Sequence, residues 1–356
     1  TFIKFPRLLL SPICANYIKN FHQLNDANYH TDADKTKINQ LTKFLKIVIK
    51  EYKSLINFDC VLSGNFVYTQ QQELFIALKE LNIPTVVLYK EGMFPEIKYD
   101  ELSKYFWKTK KFRADLLLVY NKLIQSTLLK SNIEGLNMKK TQVVGIPRFD
   151  NYLRNEYDQD DNQIVFFSFD PKTKGEYLIK NKKQFELFEA FITSFHNFFV
   201  ELCLKNENLK LIVKTKASGH ASNFAHNIFD KHKDLLKERL TISSSLNTEI
   251  LIKKSKYIVA FSSTTIIEAM MLNKTIICPK FPKNIIDHKL DIVYPYTELC
   301  NYITNQNDLN FLFETKNKSK VDSNLKREFI ERKIFKNDGK SSYRVENSII
   351  KLIKKQ

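Results

Sequence analysis

Much of the common enzyme vocabulary is missing from this chain, and each gap removes a class of function. Its 7 glycines among 356 residues build neither a G-x-G-x-x-G dinucleotide loop nor a Walker A phosphate loop. HExxH and G-x-S-x-G are absent too, which removes zinc-protease and serine-hydrolase chemistry of those types. The 5 cysteines (Cys14, Cys60, Cys203, Cys278, Cys300) are scattered and odd in number, with no CxxC and no Cys/His zinc spacing. Free, buried thiols in a reducing cytoplasm are expected. Runs of about 18 or more apolar residues do not occur, so no membrane-spanning helix is expected. Nothing resembles RNP, KH, zinc-finger or helix-turn-helix signatures. Asp32-Ala33-Asp34 has the spacing of a DxD metal motif but sits in a polar stretch before a helix, so no metal site is expected there. The chain opens Thr1-Phe2-Ile3-Lys4 without Met or a signal-peptide pattern, and a short preceding piece is expected.

What is present fits two packed cores. Hydrophobic residues make up 43%, with 28 Phe and 16 Tyr, and 356 residues suit two domains of ordinary size. Residues 1–150 hold 22 Lys/Arg against 14 Asp/Glu, or +8, which leaves +9 of the total +17 for the remainder. No basic arm or half exists. A chain heavy in Lys, Asn, Ile and Phe is what an AT-rich genome produces. Attraction to an anionic membrane face or an anionic substrate is a second reading of the charge, and nucleic acid the least supported.

Two successive βα series follow along the chain. In the first, Ile38, Leu41, Leu45, Ile49 and Tyr52 give residues 35–56 helical periodicity. Strands are expected at 59–62, 84–89 (PTVVLY), 114–120 (ADLLLVY) and 142–145, with a helix at 70–81. Residues 147–163 are polar, dense in Asp and Asn, and read as an interdomain linker. Strands resume at 164–169 (IVFFSF), 209–214, 240–243, 257–261 and 275–278. Helices are expected at 182–204, 247–254 and 264–272, and two or three more in the tail. Short apolar strands alternating with helices imply parallel sheets covered on both faces. The expected fold is α/β, with two Rossmann-like doubly wound domains, 1–150 and 151–356, facing a cleft at the carboxyl ends of their strands.

The strongest local signal is YIVAFSSTTIIEAMML at 257–272, where a strand turns through Ser262, Ser263 and Thr264 into a helix. Hydroxyls and free N–H groups there suit a phosphate, with Glu268 one turn in to meet a ribose hydroxyl; plain N-capping is the alternative. LIVKTKASGH at 211–220 brings Lys214, Lys216 and His220 to a strand tip, where two cations suit a phosphorylated ligand. His220 is either an acid for the departing phosphate or a solvated loop residue. Glu91, followed at the end of PTVVLY by Gly92, a glycine expected to let a substrate approach from the cleft, is a candidate general base or acceptor contact, with a surface carboxylate beside a turn as the alternative. Ser63-Gly64-Asn65 and Gln70–Gln72 form a weaker, amide-rich edge suited to sugar hydroxyls. Gly145–Asp150 reads as a tight turn or a binding segment.

With those residues, the chain resembles bacterial GT-B glycosyltransferases of capsule and lipopolysaccharide assembly, those using CMP-sugars (Kdo or sialic acid), and the CDP-glycerol glycerophosphotransferases. The likeness rests on GIPRFD (145–150), KTKASGH (214–220), FSSTTIIEAMMLNKTII (261–277) and NDGKSSYRV (337–345). It departs where a Lys-x-His-Pro is replaced around His220. The resemblance implies a metal-independent transferase without a cofactor, its nucleotide-sugar donor held in the C-terminal domain by Lys214, Lys216, Ser262, Ser263, Thr264 and Glu268. It further implies a glycan or lipid-linked acceptor in the N-terminal domain, with Glu91 as base; peripheral contact with the inner face of an anionic membrane is an expectation of the charge. UDP-sugar epimerases share a related serine-rich block, so an epimerase of the same architecture stays open, as does a non-catalytic glycan- or nucleotide-binding subunit. Nucleic acid is not an expected partner.

Overall fold

The structure, a computed structural model, describes residues 10–18, 21, 29, 33–107, 110–154, 157–172, 179, 181–217, 219–286, 297–315 and 322–355. Helix α1 (Leu10–Tyr17) packs on α2 (Lys35–Ile56). The Asp34 carboxylate accepts from the N–H groups of Thr36 and Lys37, so this residue is a helix cap. Its neighbour Asp32 lies outside the described residues.

The first sheet contains β1 (Val61–Ser63), β2 (Thr85–Leu88), β3 (Leu116–Val119) and β4 (Thr141–Val143), parallel and adjacent in chain order. Its connections carry α3 (Gln72–Glu80), α4 (Glu96–Glu101) and α5 (Lys122–Lys130). Strand alternation divides the apolar side chains. Val87, Leu117 and Val119 join the aromatic core of Phe66, Phe75, Trp107 and Phe112, while Val86, Leu118 and Val144 face the other way.

The second sheet contains β5 (Asp160–Phe167), β6 (Lys210–Lys214), β7 (Leu240–Ser243), β8 (Ser255–Val259), β9 (Thr275–Pro279) and β10 (Asn301–Ile303). Its spatial order is β10-β9-β8-β5-β6-β7, all parallel. Counted within the sheet from β7, this is the doubly wound Rossmann order 3-2-1-4-5-6. One face buries α6 (Lys182–Lys205), α7 (Gly219–Phe229) and, farther along the chain, residues 306–314. The opposite face buries α8 (Thr248–Lys254) and α9 (Thr265–Met271). The chain is therefore α/β with two Rossmann-like units, as its periodicity implies.

Helix α6 bears on the expectation that no helix spans a membrane. It is long and apolar enough to cross a membrane by composition, because its few charges are spaced among Phe residues. Here Phe188, Ile192, Phe195 and Phe199 are fully buried against the second sheet, which is the packing of a core helix.

After α10 (Gln306–Glu314), α11 (Ser323–Ile334) packs against both α9 and α5, and α12 (Ser341–Ile353) returns to the first sheet. There Val345 packs with Val86, Leu118 and Val144, with Ile349 and Leu352 beside them. The segment read as a polar linker also differs. Residues 147–153 form 3₁₀ turns whose Phe149 and Tyr152 enter the second core, and β5 starts at Asp160 instead of Ile164; residues 155–156 lie outside the described set.

Two cross-links hold the halves together. In the first, Asp150 caps α12 by accepting from the N–H groups of Ser341 (3.0 Å) and Ser342 (2.7 Å). Arg344 donates from Nε to the Val144 carbonyl (2.8 Å) and pairs with Asp338 (2.8 Å). Gly145 sits at φ +86°, and a Cβ there would lie 2.5 Å from Ser341 Oγ. GIPRFD and NDGKSSYR are thus two sides of one latch. In the second cross-link, Glu96 takes Arg332 through Nε (2.8 Å) and Nη2 (3.0 Å), with Lys333 Nζ at 3.5 Å. Asn121 donates to the Lys333 carbonyl (2.7 Å) while capping α5.

Candidate functional site

In an open α/β sheet, ligands lie beyond the carboxyl ends of the strands where the order reverses. That point falls between β5 and β8. After β8 the chain runs through buried Ala260 and Phe261, then turns through Ser262, Ser263 and Thr264 into α9. Ser262 adopts φ +42°, a left-handed conformation costly for a side chain with Cβ. Ser263 Oγ accepts from the Thr265 N–H (3.3 Å) and hydroxyl (2.9 Å), which does part of the work of capping because the N-cap Thr264 makes no side-chain capping bond. A serine that accepts twice still has its own proton to donate, so capping and anion binding are compatible.

Arg148 reaches this turn from the segment leaving the first sheet. Its Nη2 donates to Thr264 Oγ1 (3.2 Å) and Glu268 Oε1 (3.2 Å). Tyr152 donates its hydroxyl proton to the second Glu268 oxygen. Burial, then the Glu268 charge, raises the Tyr152 hydroxyl above its ordinary range and keeps that proton in place. Glu268 is buried with both oxygens engaged, so a ribose hydroxyl there must compete with Arg148 and Tyr152. Its arrangement is that of a carboxylate positioning Arg148, whose side chain remains 59% exposed.

Glu91 approaches the same cluster from β2. The Tyr120 hydroxyl is raised by burial, with Arg148 acting to lower it and Glu91 to raise it further. Glu91 is half-exposed, with Lys90 Nζ at 3.7 Å. Gly92 does not open onto the cleft as expected: a Cβ there would meet Tyr120 and Ile124 at 3.6–3.7 Å, and its carbonyl accepts from Tyr99 (2.7 Å). The Ser63–Gln72 edge is likewise occupied. Ser63 donates to the Asn65 carbonyl (2.8 Å) and Gln72 to the Phe66 carbonyl (2.7 Å), so these groups serve their own loop.

Lys214, Lys216 and His220 follow β6, separated from β8 by β5, roughly 10 Å away at normal strand spacing. Lys214 Nζ folds onto the carbonyls of Thr215 (2.8 Å) and Ser244 (2.9 Å), and burial lowers its pKa. Lys216 is exposed, and His220 is exposed in the first turn of α7. The described contacts join Thr264 and Glu268 through Arg148, with Ser263 one residue before Thr264 in the same turn, and leave the β6 group as a separate basic edge.

Several residues escaped the sequence reading. Arg148 and Tyr152 stand in or beside GIPRFD and look like turn residues until the second sheet is placed. Ser168, at the end of β5, lies 3.1 Å from His196 Nε2. His196 Nδ1 is 2.7 Å from the Ile192 carbonyl, which only accepts, so Nδ1 carries the proton and Nε2 accepts from Ser168. Burial pushes His196 down to about 4, so the ring is neutral near pH 7.

No family model and no curated protein matches the chain. Solved structures do. A protein from Listeria monocytogenes assigned as a UDP-N-acetylglucosamine 2-epimerase aligns with a TM-score of 0.52 and 14% identity, over 90% of this chain and 81% of its own. Another UDP-N-acetylglucosamine 2-epimerase aligns with a TM-score of 0.51 and 14% identity, over 88% and 77%. A UDP-GlcNAc 2-epimerase from Methanocaldococcus jannaschii gives 0.51 and 15%, over 88% and 82%. These fold relatives are epimerases, and they overturn the expectation of a glycosyltransferase. The CMP-Kdo donor, the polysaccharide acceptor and the capsule and lipopolysaccharide roles fall with it. At these identities the likeness establishes architecture: the chain has the GT-B-like fold of two Rossmann-like domains.

Proposed function

We propose that the protein is a nucleotide-sugar epimerase that binds a UDP-linked sugar at the switch point of the second sheet. The observation that carries the reading is the convergence, at that point, of the Ser262–Thr264 turn with Arg148 from the other half. In this reading Ser262, Ser263 and Thr264 donate to the diphosphate and Arg148 offsets its charge, while Lys214 and Lys216 on the neighbouring β6 edge add a positive field at longer range. The architecture of epimerases of UDP-N-acetylglucosamine supports this choice of ligand. None of the 5 cysteines is in a disulfide, which suits a reducing compartment.

Inverting the carbon next to the anomeric centre breaks its C–H bond while the electron pair expels the nucleoside diphosphate. Re-addition of that diphosphate, with a proton delivered to the other face, restores the sugar, so the reaction needs a base and an acid beside that carbon. Glu91 is the proposed base and His220 the proposed acid. The test is proton NMR of UDP-N-acetylglucosamine incubated with the protein in D₂O. A new epimer carrying deuterium at the inverted carbon is expected, with the rate falling about 10²–10⁴-fold in Glu91→Gln. Unchanged substrate with no deuterium uptake would remove the epimerase reading.

A further inference from the structure

Away from the switch point, where the chain crosses back from the second half to the first, lies a cavity of about 950 Å³. Lys122, Leu123 and Ser126 of α5 line it from the first half, and Arg327, Glu331, Arg332, Phe335 and Lys336 from the second, with Asp338 at its rim. We infer that this cavity is a second ligand site, built for a small molecule bearing a phosphoryl group.

Charge is the first support. Four cations and two carboxylates line the cavity. Asp338 is taken by both of its contacts with Arg344 (3.0 and 2.8 Å), and Arg332 leans on Glu96. Among the described residues Lys122, Arg327 and Lys336 are in no ion pair, with Glu331 the one carboxylate left unpaired. The free balance favours an anion.

Backbone strain is the second. Phe335 has φ 76° and ψ −61°, and the Lys336 N–H bonds to the Ile334 carbonyl (3.1 Å). This is a γ-turn of the rare, positive-φ kind, held by a residue other than glycine. A plain helix end would carry Gly or Asn there. The turn places the Phe335 ring in the cavity wall, with the Arg344 guanidinium 5.5 Å and Lys336 Nζ 5.4 Å from its centroid. Together with Leu123 it supplies an apolar face beside the cations, which suits an organic phosphate better than a bare ion.

Position is the third support. The cavity lies between the Glu96–Arg332 cross-link and the Asp338–Arg344 contact, and both halves contribute to its wall. A ligand there touches both domains at their crossover without entering the switch-point crevice.

The inference is independent of the epimerase reading, and its test is site-resolved. The full chain is titrated with sodium pyrophosphate by calorimetry, and lysine acetylation is mapped by mass spectrometry with and without it. Protection of Lys122 and Lys336 is expected, with exposed Lys35 unprotected. Lys122→Glu combined with Lys336→Glu, both on exposed positions, should weaken this binding at least tenfold while leaving the melting temperature near wild type. UDP and glucose 1-phosphate run as parallel arms, and whichever protects the two lysines at lower concentration identifies a nucleotide or a sugar phosphate as the source. Absence of protection, or wild-type affinity in the double variant, overturns the site whatever the NMR assay shows.

Discussion

The interior of the second sheet and the seam between the halves each bury a basic side chain, His196 in one and Lys333 in the other, both with no exposure. Burial lowers the pKa of each. The two regions then diverge. His196 is ringed by Phe166, Phe169, Phe224 and Phe229, and both ring nitrogens are bonded. Lys333 Nζ finds no hydrogen-bond partner, only the Glu96 ion pair at 3.5 Å and the Phe329 ring. Inside one domain a buried polar group is fully satisfied. At the seam a charge is left partly unsatisfied, which marks the seam as the weaker joint.

The largest expected effect sharpens the first side of that contrast. His196 is held near 4 when folded and titrates at about 6.5 when unfolded. As pH falls through this window the unfolded chain takes up a proton that the folded one refuses, so stability falls. The loss should reach roughly 3 kcal/mol by pH 4. Urea midpoints of wild type and His196→Phe compared from pH 7 to pH 4 read it directly. Equal slopes would show that His196 is not the group responsible.

Next in size is the latch. Asp150→Ala leaves two N–H groups of α12 without their carboxylate and should cost about 2 kcal/mol, a capping loss plus part of a desolvation penalty. A denaturant m-value below wild type would add that α12 has come away from the first sheet. A midpoint equal to wild type would mean that water replaces the carboxylate without cost.

The smallest effect probes the seam itself. Lys333→Met should change stability by no more than about 1 kcal/mol, in the stabilising direction, because an apolar side chain needs no partner there. Lys333 binds its proton less tightly folded than unfolded. Wild-type stability relative to the variant should therefore rise with pH in the alkaline window below about 10.4. A loss of more than about 2 kcal/mol would show that the Glu96 pair is net favourable, and would erase the contrast with His196.

Periodicity made most of the fold legible. The α2 span of Lys35–Ile56 and strand β7 coincide with the expected bounds, and the other expected strands shift by a few residues. Short elements escaped: β10 has only Asn301–Ile303, and α5 hides in a run whose apolar residues are also consistent with a loop. The serine-threonine turn was legible because it ends a strongly apolar strand. Arg148 and Tyr152 were not, since each acquires its meaning from a partner far along the chain, and His196 was not, since its meaning comes from the Phe-lined core and the Ser168 hydroxyl that the fold packs around it. The Arg148–Glu268 pair spans 120 residues. Glycine was misread at Gly92 because sequence shows the missing side chain but not the Tyr120 ring already beside it.

The α12 helix has a consequence for how the protein is made. The Val86, Leu118 and Val144 face it covers emerges from the ribosome first, yet Ser348 contacts Gln142 from 206 residues downstream. At about 5–20 residues per second, the nascent first sheet waits on the order of ten seconds or more with that apolar face bare. The second domain can close its own core in the meantime. Vectorial synthesis therefore inverts the expected order: the half translated first is the half completed last, and its uncovered β-sheet is the surface a chaperone has reason to hold.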